Sequence, residues 1–424
     1  MGIPLSDMEK KLTQGFYATL QKTQLLSRQA IEDYQRKLLG KLLRHARAQV
    51  PYYRDSGLLD VLFSADGKID WSRWHLVPPL TRRAARDNED RLRAEKLPRE
   101  MLPLENDLTS GSTGTPLKIA RTMLSRVASR ALLGRAVNWH DQGQIGRVAV
   151  SKYAGSEFVP TMTGHTITLP GHWPPQEQIN LLATAKVTHL VTYPNLLASL
   201  LEAGGPEALK NIRVAVLTGE AVGPALRQTI AQQIPARMIE CYSATEVGPI
   251  AYEDCNNELR ICEENVFVET GPSVVGSAAE VLLTPFYAYA MPLIRYAPGD
   301  YINLSSSSST FLPALRKIEK IAGRERNLLR NPAGALFYPF IAAKQLTEIL
   351  DYREWQLEQL SRQKAVFRIV CASPPTPEQI YRLEAELTGI LQGLVPSVVQ
   401  VTQIPRTAGK AYESVLRNPA VDIG

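Results

Sequence analysis

Val187-Thr-His-Leu-Val-Thr-Tyr-Pro-Asn195 is a short apolar run that ends in a turn and passes into helix-forming sequence from Leu196. Ile212-Arg-Val-Ala-Val-Leu-Thr-Gly-Glu-Ala221 repeats the arrangement, with a helix over Pro224 to Gln233. Outward from this pair, Arg147–Ser151 reads as a strand before the helix Glu177 to Ala185, and Arg237–Cys241 reads as a strand after the repeat. Runs this short and apolar suit strands buried on both faces. Their alternation with helices predicts an α/β fold, a parallel sheet flanked by helices. Ligands in such sheets lie off the carboxyl ends of the strands. Thr218–Ala221 and Tyr242–Gly248 fall at those ends.

Upstream lies Thr109-Ser-Gly-Ser-Thr-Gly-Thr-Pro116, with hydroxyl residues interleaved with glycines. Exposed N–H groups and hydroxyls in such a loop make an anion site, although the same composition also makes plain surface loops. Leu117–Thr122 alternates like a strand, so the loop is expected between strands, ahead of a helix over 123–139. It is not the common NTPase loop, because G-x-x-x-x-G-K-[ST] is absent. In Tyr242-Ser-Ala-Thr-Glu-Val-Gly248 a ring can stack on a base, Thr245 can reach a phosphate, and Glu246 can supply a hard oxygen to Mg²⁺. Asp300, after Pro298-Gly299, suits a ribose diol. At the amino end, Leu5 to Gln49 reads as one helix ended by Pro51, and Arg82 to Arg93 as a short charged helix. From 266 to 284 the pattern is short strands and turns. Residues 328–424 read as a small α+β unit, with helix Ala342–Leu350, strand Ala365–Cys371, helix Pro377–Leu391 and strand Val398–Gln403. Its last turn, Pro405–Lys410, puts a lysine at the tip of a glycine-containing loop.

The chain has 424 residues, enough for more than one domain, and a net charge of +6. That excess suits small anions. No dense basic run with aromatic interleaving argues for nucleic acid, and no apolar run reaches membrane-spanning length. Cys241, Cys255, Cys262 and Cys371 form no C-x-x-C pair or disulfide framework, which predicts a reducing, cytoplasmic setting.

In order, the motifs 109–116, 242–248, 295–300, Gly323-Arg324 and 405–410 resemble those of the adenylate-forming enzymes: acyl-CoA synthetases, adenylation domains and luciferases. Leu42-Leu-Arg-His-Ala-Arg-Ala-Gln-Val-Pro-Tyr-Tyr-Arg54 and Pro292-Leu-Ile-Arg-Tyr296 resemble the phenylacetate–CoA ligase and capsule-biosynthesis branch. The resemblance implies an adenylation core over 1–326 with a small β-rich subdomain, and a mobile lid over 328–424. It implies that Thr109, Ser110, Gly111, Ser112, Thr113 and Gly114 hold the β- and γ-phosphates of ATP. Gly219, Glu220 and Ala221 would border the adenine and Tyr242 would stack on it. Thr245 would contact the α-phosphate or the carboxylate, Glu246 would bind Mg²⁺, and Asp300 and Arg324 would hold the ribose. Lys410 would bridge the substrate carboxylate and the α-phosphate.

A carboxylate needs no general base to attack phosphorus, so the chemistry asks for charge neutralisation rather than a catalytic histidine. The partners implied are a small carboxylic acid, aryl or heteroaryl by branch, and an acyl acceptor, coenzyme A in the nearest branch; a homodimer is compatible. An amine or hydroxyl acceptor and a catalytically silent nucleotide-binding protein are the competing readings. Tyr153, Phe158 and His165 are candidates for the acid pocket. Departures from the family pattern are Asn327 at the swivel, Ala297-Pro298 before Gly299-Asp300, and Arg260 where relatives place a zinc-binding histidine. The last predicts no structural zinc.

Overall fold

A computed structural model describes residues 7–109, 117–140, 143, 146–152, 162–163, 166–219, 222, 224–275, 278–305, 312–324, 327–339, 341, 346, 348–371, 373–404, 414–418 and 421. The chain opens with helices α1 (Asp7–Thr23), α2 (Arg28–Gln49) and α3 (Pro51–Ser56). The single helix expected over Leu5–Gln49 is therefore two. Ser27 ends the continuity, because its hydroxyl accepts from Ala30 N as the cap of α2. Pro51 starts α3 at the first helical position, where its missing N–H costs nothing. Strand β1 (Leu80–Thr81) leads into α4 (Arg82–Asp87), shorter than the helix expected to Arg93.

Strands β2 (Glu105–Leu108) and β3 (Lys118–Arg121) form an antiparallel hairpin, so the hydroxyl-rich segment does join two strands. Thr122 then caps α5 (Met123–Trp139). There follow β4 (Val148–Lys152), β5 (Met162–Thr163), β6 (Thr166–Pro170), α6 (Pro175–Thr184), β7 (His189–Thr192), α7 (Pro194–Ala208), β8 (Val214–Thr218), α8 (Pro224–Gln233) and β9 (Arg237–Ala244). Strands β6, β4, β7, β8 and β9 lie side by side and parallel. Alternate residues of β8 point to opposite faces. Ala215 and Leu217 pack with Ile179, Leu197, Leu200 and Ile230 from α6, α7 and α8. Val214 and Val216 pack with Ala131, Leu132 and Ala136 of α5 and with Leu20 and Ile31 of the first two helices. Both faces are covered, which is why the strand sequence is apolar throughout.

From β9 the same sheet continues antiparallel through β10 (Gly248–Glu253), β11 (Leu259–Ile261), β12 (Val266–Val275), β13 (Ala278–Pro285), β14 (Tyr296–Ala297), β15 (Asp300–Leu304) and β16 (Lys317–Arg324). The β-rich part is thus hydrogen-bonded into the parallel part among the described residues, rather than forming a separate sheet.

After β16, β17 (Leu329–Arg330) and β18 (Leu336–Phe337) form a hairpin. Strands β19 (Glu354–Gln359), β20 (Lys364–Val370), β21 (Val395–Gln400) and β22 (Val415–Arg417) make their own sheet, with α9 (Pro377–Ile390) between β20 and β21. Thr376 and Gln379 cap α9 reciprocally. Leu357, Phe367, Leu383 and Leu387 share a core there that is distinct from those of the long sheet. Strand β21 begins earlier than expected because Val395 pairs with Lys364 at the end of the connection. Most of the helix expected over Ala342–Leu350 lies outside the described residues.

Candidate active site

The junction where the sheet changes from parallel to antiparallel gathers the predicted acids. β9 carries Tyr242, the turn after it carries Thr245 and Glu246, and β10 returns antiparallel, Gly248 opposite Ala244. Gly248 has a φ of 86°, a left-handed conformation that favours glycine and that the tight return requires. β15 and β16 bring Asp300 opposite Arg324.

Asp300 and Glu246 are nearly buried, with residue exposures of 6% and 8%. The Tyr242 hydroxyl donates to Asp300 Oδ2 at 2.7 Å, while Arg324 Nε lies 3.4 Å from Oδ1. The Tyr296 hydroxyl donates to Glu246 Oε1 at 2.8 Å, and Arg82 Nη2 stands off the same oxygen at 3.9 Å. Burial, with the neighbouring carboxylate second, pushes both phenols well above their ordinary values: Asp300 is the carboxylate beside Tyr242 and Glu246 the one beside Tyr296. Each phenol therefore stays protonated and donates. A carboxylate oxygen accepts more than one bond, so each acid keeps acceptor capacity for a diol or a cation.

The hairpin of the hydroxyl-rich segment is fixed to this turn. Thr109 is buried, its N–H donates to Leu117 O at 3.0 Å, and its hydroxyl accepts from Leu117 N at 2.8 Å. Thr109 thus closes the base of the loop. Arg121 on β3 donates from Nη2 to Thr245 O at 2.5 Å and pairs through Nε with Asp107 on β2 at 2.6 Å. Asp107 also takes Lys152 Nζ at 2.7 Å, at the carboxyl end of β4. Burial, offset by Arg121 and Lys152, leaves the Asp107 carboxyl below its ordinary value. One guanidinium thereby links the hairpin to the Thr245–Glu246 turn, and one carboxylate links the hairpin to β4.

Gly219 follows β8 with a φ of 81°, and a Cβ there would lie 2.6 Å from the Tyr193 ring. Thr218 Oγ1 and Ser243 Oγ are 2.7 Å apart, joining the ends of β8 and β9. The structure therefore brings Tyr242, Thr245, Glu246, Asp300 and Arg324 to one junction, with Gly219 following the β8 end that meets Ser243, and Thr109 on the hairpin that Arg121 ties to the Thr245 turn. Ser110, Gly111, Ser112, Thr113, Gly114, Glu220, Ala221 and Lys410 lie outside the described residues, as do Tyr153, Phe158 and His165. Sequence reasoning gave no role to Tyr296, Arg82, Arg121 or Asp107. Tyr296 had a signal, since it closes the quoted Pro292–Tyr296 run.

Asn327 Nδ2 donates to Val415 O at 2.5 Å, tying the residue expected at the swivel to β22. Arg260 Nε pairs with Asp254 Oδ2 at 2.9 Å and its guanidinium also meets Glu258, so a protein cation stands between these acids. Among the described residues no helix is long and apolar enough to cross a membrane.

Residues 78–283 match the family model of AMP-binding enzymes. Phenylacetate-coenzyme A ligase of Escherichia coli (strain K12) is 22% identical over 330 residues, 70% of this chain and 72% of that protein. The solved structure of 2-hydroxyisobutyryl-CoA ligase in the postadenylation state superposes with a TM-score of 0.67 at 16% identity, covering 93% of this chain and 90% of that one. The amide bond synthetase McbA from Marinactinospora thermotolerans superposes with a TM-score of 0.50 at 17% identity, over 78% and 69% of the two chains.

Proposed function

We propose that this chain, a member of the adenylate-forming superfamily of phenylacetate–CoA ligase type, activates a carboxylic acid with ATP as the acyl-adenylate and passes the acyl group to coenzyme A. The observation that carries the reading is the junction at β9, where Glu246 and Asp300 are buried beside protonated phenols and loosely placed guanidiniums. A carboxylate held so incompletely neutralised calls for a cation or a hydroxyl-rich ligand.

In this reading Asp300 accepts from the ribose hydroxyls, its rotamer fixed by Tyr242 and Arg324. Glu246 fits Mg²⁺, since a half-neutralised buried carboxylate is a hard oxygen donor. When bound, the ion screens the charge of the phosphates. Tyr296 holds the Glu246 carboxylate in place. Arg121 fixes the backbone of Thr245 relative to the hairpin, which sets the distance between the metal carboxylate and the hydroxyl-rich loop. Thr109 holds that loop closed at its base, and Ser110, Gly111, Ser112, Thr113 and Gly114 cradle the outer phosphates. Gly219, Glu220 and Ala221 border the adenine beside Tyr242. Thr245 contacts the α-phosphate or the carboxylate, and Lys410 bridges them. Preorganised donors of this kind stabilise the charge that develops at phosphorus without a general base.

The lid over 328–424 is expected to swing about the segment at Asn327 between the half-reactions. An aryl or heteroaryl acid is the branch expectation for the substrate. Direct transfer to an amine or a hydroxyl is the second reading, and the fold shared with the amide bond synthetase favours keeping its amine form. The test is pyrophosphate exchange across a carboxylic-acid library, then mass spectrometry of the product with coenzyme A and with amines. Acid-dependent exchange is expected; its absence with every acid would sink the adenylation reading. An amide in place of a thioester would select the second.

A further inference from the structure

Helix α2 presents a cationic surface away from the Glu246–Asp300 junction. Its buried face packs Leu39, Leu43 and Ala46 into the main core. Its other face carries Arg36, Lys37, Lys41 and Arg44, which line a cavity of about 480 Å³ with Lys68, Ile69 and Trp71. An adjoining hollow of about 620 Å³ shares Arg44 and adds Arg47, Arg54 and Phe63. Lys37 and Lys41 are one turn apart, as are Lys41 and Arg44. Like charges at these spacings repel and destabilise a helix. No carboxylate among the described residues pairs with Lys37, Lys41 or Arg44, whereas Lys68 has Asp66 at 2.6 Å and Arg47 has Asp60 at 2.6 Å.

The cations are exposed, and an apolar wall stands beside them. Gly40 sits buried in mid-helix, where glycine costs about 1 kcal/mol relative to alanine. A Cβ there would lie 3.3 Å from Arg44 Nη1, 3.4 Å from Ile69 Cδ1 and 3.8 Å from Trp71 Cζ2. The glycine lets Ile69 and Trp71 pack close against the helix, and they form the apolar wall beside the cations. Arg44 Nη1 donates to Gly40 O at 3.2 Å, which holds the guanidinium along the groove.

We propose that this groove binds a small, multiply phosphorylated ligand, its charge met by Lys37, Lys41 and Arg44 and its ring or apolar part by Ile69 and Trp71. Guanidinium and ammonium groups side by side suit clustered phosphate oxygens. The run from Arg36 to Arg47 spans roughly 16 Å at the helical rise, enough for several phosphates. The groove shares no residue with the Glu246–Asp300 junction, so it stands or falls separately from the adenylation reading.

The test is calorimetry on the full chain with sodium tripolyphosphate and with adenosine 3′,5′-bisphosphate. The proteins are wild type, K37E/K41E and the active-site variant E246Q/D300N, with K37Q/K41Q as a milder control whose folding is checked by circular dichroism. Expected is at least tenfold weaker binding of both probes in K37E/K41E, a smaller loss in K37Q/K41Q, and binding retained in E246Q/D300N. Trp71→Leu should weaken the adenosine probe more than tripolyphosphate. Wild-type affinity in K37E/K41E, or a loss confined to E246Q/D300N, overturns the site. Vesicles containing phosphatidylinositol phosphates form the last arm. Retention on vesicles with neither soluble probe bound would assign the patch to a membrane surface and overturn the small-ligand proposal.

Discussion

Two groups of buried carboxylates in this molecule are neutralised in opposite ways. Glu263 is fully buried and takes Arg28 at 2.8 Å and Arg316 at 2.6 Å, with Gln35 Nε2 donating at 2.6 Å. Its neighbour Glu264 takes Arg135 at 2.8 Å and the Thr23 hydroxyl at 2.7 Å. These pairs fasten the amino-terminal helices and α5 to the loop between β11 and β12. Glu246 and Asp300 are almost as buried, yet their close partners are phenols, and their guanidiniums stand at 3.9 and 3.4 Å. A phenol orients a carboxylate without cancelling its charge. Both oxygens of Glu263 are met by charged or amide donors, Glu264 keeps Oε2 without a hydrogen-bond partner, and Glu246 and Asp300 are met closely only by phenols. Burial raises the Glu263 carboxyl, but the guanidinium of Arg316 and then that of Arg28 outweigh it and bring the group below its ordinary value.

The comparison breaks first at the charges. Glu246→Gln and Lys410→Ala should each lower acid-dependent pyrophosphate exchange by about 10²–10³ with the melting temperature little changed. Glu263→Gln should do the reverse, costing about 3 kcal/mol of stability in denaturant unfolding while the remaining folded enzyme keeps its exchange rate. Equal stability losses at Glu246 and Glu263 would erase the distinction. A smaller effect is expected at the orienting phenols. Tyr296→Phe and Tyr242→Phe remove a bond to a charged group, and each should lose about tenfold or more in kcat/KM for Mg·ATP. Arg121→Lys should raise the KM for Mg·ATP by about tenfold while kcat changes less, because the lysine cannot hold both Asp107 and Thr245 O. A kcat effect alone would place Arg121 in the chemistry instead of in positioning.

The smallest effect is on pH dependence. Burial, reinforced by Glu253, raises the Glu240 carboxyl to about 7. The folded state then binds a proton that the unfolded state releases near its ordinary value, so this group's stabilisation is present at low pH and is lost as pH rises towards 7. Wild type should gain more in melting temperature than Glu240→Gln when the pH falls from 7.5 to 5.5. Parallel profiles for the two proteins would remove Glu240 as the source.

Strands β4, β7, β8 and β9 and the helices between them were legible because the strands are short and largely apolar and helices α6 to α8 begin at prolines, but β6, which pairs with β4, was not read because its threonines alternate with apolar residues in an otherwise loop-like stretch. The break at Ser27 was equally local but was hidden by apolar periodicity that runs through both helices. The pairing of phenols with acids was not legible. Tyr296 reaches Glu246, and Tyr242 reaches Asp300, only because β14 and β15 lie in register with their neighbours. Arg121 carried no sequence signal beyond the alternation of its strand, because its contact with Thr245 O depends on where the hairpin docks.

The sequence by itself determined the strand–turn–helix rhythm, the helix caps and the chemical types brought to the strand ends, since these depend on spacing along a few residues. Only the tertiary structure decided which donor stands on which carboxylate. Sheet register and helix packing set those distances, and a difference of about 1 Å separates the close Arg135–Glu264 ion pair from the looser approach of Arg82 to Glu246.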